Sequence, residues 1–101
     1  MDIKPLHLEI VKNILANHLP IGSTVWLFGS RVIKAKKKYS DLDLAVDCQH
    51  VLPLSVMTLL QYDFSESDLP YKVDIVDLRN MDDSFRDAIR PDMVMLFQKS
   101  G

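Results

Sequence analysis

The chain has 101 residues, 48% hydrophobic, 26% charged and 8% aromatic, with a formal net charge of −2. That length and balance fit one globular domain spanning residues 1–101 and exclude a disordered, collagen-like or fibrous chain. No apolar run approaches the ~20 residues of a membrane span, and the opening MDIKPLHLEIVKN is too acidic and too interrupted for a secretory leader.

Taken in order, Leu6, Ile10, Ile14 and Leu15 recur at helical spacing and predict an amphipathic helix over 5–19. Pro5 suits its first turn, and Pro20 with Gly22 stops it. Residues 24–28 (TVWLF) are short, β-branched and aromatic, and predict a buried strand that Gly29-Ser30 breaks. A short helix over 30–35 and a lysine-rich loop follow. Asp41 to Asp47 alternates strictly: Leu42, Leu44 and Val46 point one way, Asp41, Asp43, Ala45 and Asp47 the other. This predicts a half-buried strand with acids on its open face. Residues 53–66 read as a helix whose Met57, Leu60 and Phe64 enter the core. Residues 72–78 (KVDIVDL) form the next strand. Asp82, Asp83 and Ser84 cap a short helix that Pro91 ends near Arg90. Residues 93–97 read as a last edge strand, with helix as the alternative. The expected fold is α/β (α+β): a small mixed β-sheet with helices packed on it.

Charge is unevenly spread. Between Ile10 and Ser40 stand Lys12, Arg31, Lys34, Lys36, Lys37 and Lys38 and no acid; from Asp41 onward there are twelve acids and five bases. The acidic balance argues against direct nucleic-acid binding, which needs a basic face. The basic cluster reads either as a solvated loop or as a wall that draws a polyanion toward Asp41 and Asp43. Carboxylates facing phosphates repel them, so the second reading implies a divalent cation between. Cys48, alone, excludes an internal disulfide and reads as a buried thiol in a reducing cytoplasm.

Three pieces carry chemistry. Gly29-Ser30 follows a strand, where glycine admits close backbone approach and a hydroxyl with free amides binds phosphate oxygens; Arg31 can pair with a phosphate. The pair also fits an ordinary turn. Asp41 and Asp43, two apart on a strand, project from one face, as hard oxygen ligands for Mg²⁺ or as plain surface acids. Asp74 interrupts an apolar strand, which is costly unless it meets water, a partner or a metal. If its strand adjoins that of Asp43, three carboxylates cluster and two metal ions fit. Asp77 has the opposite parity and falls outside the cluster. Asp47 lies about 13 Å along from Asp43 and reads as solvated. His7, His18 and His50 read as surface or helix-end residues, Trp26 and Phe28 as core. Arg79, Arg86 and Arg90 read as a solvated face or partner contacts, and Tyr39 as a residue bordering the site.

In the stretches TVWLFGSR, YSDLDLAVD and YKVDIVDL, Gly29-Ser30, ten intervening residues, Asp41-x-Asp43 and the later Asp74 appear together. This pattern resembles the nucleotidyltransferase superfamily that includes DNA polymerase β, and most of all its minimal (MNT) members, over about residues 8–97. The resemblance assigns Gly29 and Ser30 to triphosphate binding, Asp41 and Asp43 to two Mg²⁺ ions, and Asp74 to the ion nearer the acceptor. The segment Val32–Lys38 departs from the small or glycine-rich stretch of many relatives. The implied reaction is transfer of AMP from ATP to a hydroxyl in the cytoplasm. Minimal members are typically encoded beside HEPN-domain toxins, so the implied role is an antitoxin that adenylylates a tyrosine of such a partner within a hetero-oligomer. The alternatives are a non-catalytic antitoxin that acts by contact and an antibiotic-modifying nucleotidyltransferase.

Overall fold

In a computed structural model that describes residues 3–29 and 42–101, three α-helices and four strands are present among the described residues. They are α1 (Pro5–His18), β1 (Thr24–Phe28), β2 (Leu42–Asp47), α2 (Leu54–Ser65), β3 (Val73–Asp77), α3 (Asp83–Ile89) and β4 (Val94–Gln98), with a 3₁₀ turn at Arg90–Asp92. The helix and loop expected over 30–40 lie outside the described residues. No helix among those described is long and apolar enough to cross a membrane.

The sheet runs β3-β2-β1-β4. β1 is antiparallel to β2 and β4, while β2 and β3 are parallel. A parallel pair needs a long crossover, and α2 supplies it. Residues 93–97, open between strand and helix in the sequence, form an edge strand because Val94, Met95 and Phe97 pair with β1 across a register shift at Val25/Trp26.

The alternation of β2 sorts the two faces. Leu42, Leu44 and Val46 are fully buried and pack with Val11, Leu15 and Leu19 of α1 and its end, Val25 and Leu27 of β1, and Leu60 and Phe64 of α2. The face bearing Asp43 is not wholly open, as the sequence suggested. Phe28, Ala45 and Leu78 form a second, smaller cluster there with Trp26, Val76, Met81, Ile89 and Met93. Ala45 is fully buried by this cover.

Polar groups close the ends of the elements. Asp82 accepts from Ser84 N at 3.2 Å and caps α3. Lys99 Nζ donates to the carbonyls of Ala16 and Leu19, 2.8 Å each, at the C-terminal end of α1, where cations are favoured. His18, expected at the surface or at a helix end, is the last residue of α1 and meets Asp63 of α2 at 2.5 Å. Cys48 is buried, as expected, and its thiol donates to the His50 carbonyl at 3.1 Å. Asp77 points into the helix-covered side, where Oδ2 accepts from Leu52 N at 2.7 Å and Oδ1 from Arg79 N at 3.0 Å. Asp77→Ala strands the Leu52 amide. The expected outcome is a loss of about 1–3 kcal/mol, read as a lower urea midpoint at unchanged m-value.

Candidate active site

β1 ends at Phe28, and Gly29 follows with φ +79°, a left-handed conformation that favours glycine. The residue is glycine for a second reason. A Cβ built at Gly29 would overlap the Asp43 carboxylate, with Asp43 Oδ2 nearest and Cγ at 3.2 Å. The carboxylate therefore lies against the backbone of the turn. This follows from strand register, since Phe28 pairs with Asp43 across β1 and β2.

The same register carries the second carboxylate. Asp43 pairs with Asp74 across the parallel β2 and β3. Paired residues on neighbouring strands share a face at a spacing of about 4.8 Å. Val73 and Ile75, on either side of Asp74, instead pack toward the main core. Asp74 keeps 42% of its side chain exposed, and Lys72 Nζ stands 3.5 Å from Oδ1. A cation already sits near this carboxylate, and the lysine is itself largely exposed, so it can yield the place. Among the described residues no group of three His, Cys, Asp or Glu side chains could enclose a metal. The oxygen-only pair of Asp43 and Asp74 nevertheless suits a hard divalent cation that keeps waters and substrate phosphates among its ligands. Gly29, Asp43 and Asp74 are thus brought together, while Ser30, Arg31, Tyr39 and Asp41 lie outside the described residues.

Asp47 is a correction. It is not simply solvated: Arg79 donates Nε to Oδ1 at 2.9 Å and Nη2 to Oδ2 at 3.3 Å. The Arg79 hydrogen bonds hold the Asp47 carboxyl below the usual carboxylate range, against the opposing effect of burial and helped by Gln49 N. Arg86 is not a free surface cation either. It donates to the Leu78 and Met81 carbonyls and to Asp83. These groups line a cavity of about 590 Å³ with Trp26, Leu78, Arg90 and Met93. The sequence reading missed this cavity. The signals were the shared parity of Asp47 with Asp43 and the spacing of Arg86 and Arg90 by one helical turn.

A glycine turn thus lies against a carboxylate, on a sheet whose adjacent strands each present an aspartate, an arrangement that suits a nucleotidyltransferase. The chain belongs to the polymerase beta nucleotidyltransferase family, whose model matches residues 9–101. It is 46% identical over 99 residues to the "Probable protein adenylyltransferase MntA" of Haemophilus influenzae, a match covering 98% of this chain and 86% of that protein. Among solved structures it is similar to a toxin–antitoxin complex with AMP-PNP, at 23% identity and a TM-score of 0.76, over 91% of this chain and 73% of that one. It is also similar to a chain of the tri-AMPylated Shewanella oneidensis HEPN toxin in complex with MNT antitoxin, at 24% identity and a TM-score of 0.70, over 96% and 74% of the two chains. These structural likenesses establish the fold.

Two outcomes follow. Gly29→Ala forces a methyl into the Asp43 carboxylate and a left-handed backbone on alanine. It is expected to cost about 1–2 kcal/mol of stability, read as a lower urea midpoint, and to abolish nucleotide transfer while circular dichroism stays native. The folded Asp47 pKa is depressed, so its pairing stabilises the fold above the ordinary value of 3.8 and is lost as pH falls below it. The urea midpoint of Asp47→Asn should therefore lie below wild type at pH 6 and converge on it below pH 3.8. A pH-independent gap contradicts the pairing.

Proposed function

We propose that this chain transfers AMP from ATP to a hydroxyl, most simply a tyrosine hydroxyl, of a partner HEPN-domain toxin, and so acts as its antitoxin. The observation that carries the reading is the in-register pairing of Asp43 with Asp74 beside the Gly29 turn. Support for the acceptor comes from the names borne by the relatives, a protein adenylyltransferase and toxin–antitoxin complexes with a nucleotide analogue or an AMPylated toxin.

The acceptor oxygen attacks the α-phosphorus of ATP, a new P–O bond forms, the bond to the β-phosphate oxygen breaks, and pyrophosphate leaves. The hydroxyl proton departs in the same step. Gly29 and Ser30 bind the triphosphate, with Arg31 as a further phosphate contact. Asp43 lies against that turn and orients the α-phosphate end. Asp74, whose side chain is partly exposed, would take the proton of the acceptor hydroxyl. Two Mg²⁺ ions held by Asp41, Asp43 and Asp74 would neutralise the charge that builds on the phosphates. One domain carries all of this, in the cytoplasm where ATP is available, and the partner supplies the acceptor within a hetero-oligomer.

The test is to incubate the chain with ATP, Mg²⁺ and the folded product of the adjacent gene and to weigh the products. Wild type should add one or more adenylyl masses to the partner. Asp43→Asn with Asp74→Asn should slow the addition by at least about 10²-fold. No added mass with wild type contradicts the reading, and unimpaired neutralisation by the double variant would leave contact alone as the antitoxin mechanism.

A further inference from the structure

We propose that the arginine-lined cavity beside the carboxylate pair is a second anion site, one that takes a nucleoside monophosphate group with its base against Trp26. The cavity shares a sheet face with Asp43 and Asp74 but is separate from them. Asp47, in its wall, is four residues from Asp43, about 13 Å along the strand, and buried Ala45 with its apolar cover lies between.

Its chemistry selects the ligand. The wall holds three guanidinium groups, Arg79, Arg86 and Arg90, against one carboxylate, Asp47. Arg79 is paired with Asp47 and Arg86 with Asp83, which leaves Arg90 as the guanidinium in excess and gives the wall a positive balance that suits a phosphate monoester. Arg86 is spent on the Leu78 and Met81 carbonyls and Asp83, so it contributes charge and not new bonds. Arg79 uses Nε and Nη2 on Asp47 and keeps Nη1 outside that pair. Arg90 is exposed, and its side chain makes no hydrogen bond or ion pair among the described residues. Arg79 and Arg90 are therefore the forks that meet the anion, and guanidinium suits phosphate oxygens in paired contacts. Half-buried Trp26 and Met93 supply the apolar part of the lining, and an indole face stacks a base. A lone carboxylate would leave Trp26 uncovered. The cavity's 590 Å³ falls within the ~300–1,000 Å³ of small-molecule sites. The phosphate site stands on this geometry alone. Only the choice of adenine as the base rests on the adenylyl-transfer reading.

Trp26 is the sole tryptophan, so its fluorescence reports the cavity directly. The intact chain is titrated with AMP, adenosine and inorganic phosphate in metal-free buffer, where the carboxylate pair has no cation to recruit a nucleotide. AMP is expected to change the emission saturably and at lower concentration than either fragment. Arg90→Ala should raise the AMP concentration required by about tenfold or more, since a hydrogen bond to a charged group is worth that much. Asp43→Asn with Asp74→Asn should leave the titration unchanged, which separates this site from transfer activity whether or not transfer occurs. A partner protein already carrying AMP is then offered as a competitor: displacement of bound AMP identifies the attached group as the natural source, and none identifies the free nucleotide. No saturable response, or a response lost in the aspartate double variant and kept in Arg90→Ala, overturns the proposal.

Discussion

The site rests on strand register. Asp43 faces its neighbours across both sides of β2: Phe28 on the antiparallel side, which brings Gly29 under its carboxylate, and Asp74 on the parallel side. A one-residue slip of β3 would flip every side chain of that strand, sending Asp74 into the apolar face and Val73 or Ile75 to the carboxylate. The slip is forbidden by the burial it would cost, because Leu42, Leu44 and Val46 with Val73 and Ile75 pack against α1 and α2. The hydrophobic core thus sets the position of the acids that stand on the other side of it.

Two neighbouring carboxylates repel each other, and a sheet that presents them tolerates them only with positive charge nearby. Lys72 supplies some of it at Asp74. In the proposed function a divalent cation would supply more, and a nucleotide would follow the cation. At the other end of the same face the charge is inverted, with arginines in excess over Asp47. The short α3 and its flanks make that division. Ile89 of α3, with Met81 before the helix and Met93 after the 3₁₀ turn, packs with Ala45 and Leu78 between the two ends, and Arg86 anchors α3 to the end of β3 through the Leu78 carbonyl.

Much of this was legible from residue order. The strict alternation of residues 41–47 marked which side chains share the acidic face, and the acid inside an apolar strand marked Asp74. The opposite parity of Asp77 correctly removed it from the cluster, and the structure puts it to work holding the Leu52 amide. The pairing of Asp47 with Arg79 was not legible, because the two are far apart in sequence and meet only once β2 and β3 lie parallel and the chain turns after Asp77. The cover over Ala45 was hidden for a related reason. A seven-residue helix has too few turns to show which surface it will cross. His18 met Asp63 unannounced because the approach of α1 to α2 is a tertiary fact.

In the proposed function Asp43 and Asp74 act as one cation-dependent nucleotide site, and Asp77, on the opposite side of the sheet, is the internal control. Calorimetric titration of a non-hydrolysable ATP analogue, with and without Mg²⁺, tests it on wild type, Asp43→Asn, Asp74→Asn and Asp77→Asn. Mg²⁺ is expected to strengthen binding to wild type and to folded Asp77→Asn, and either of the other substitutions to remove most of that enhancement. An Asp74→Asn chain whose Mg²⁺ enhancement equals wild type would contradict it.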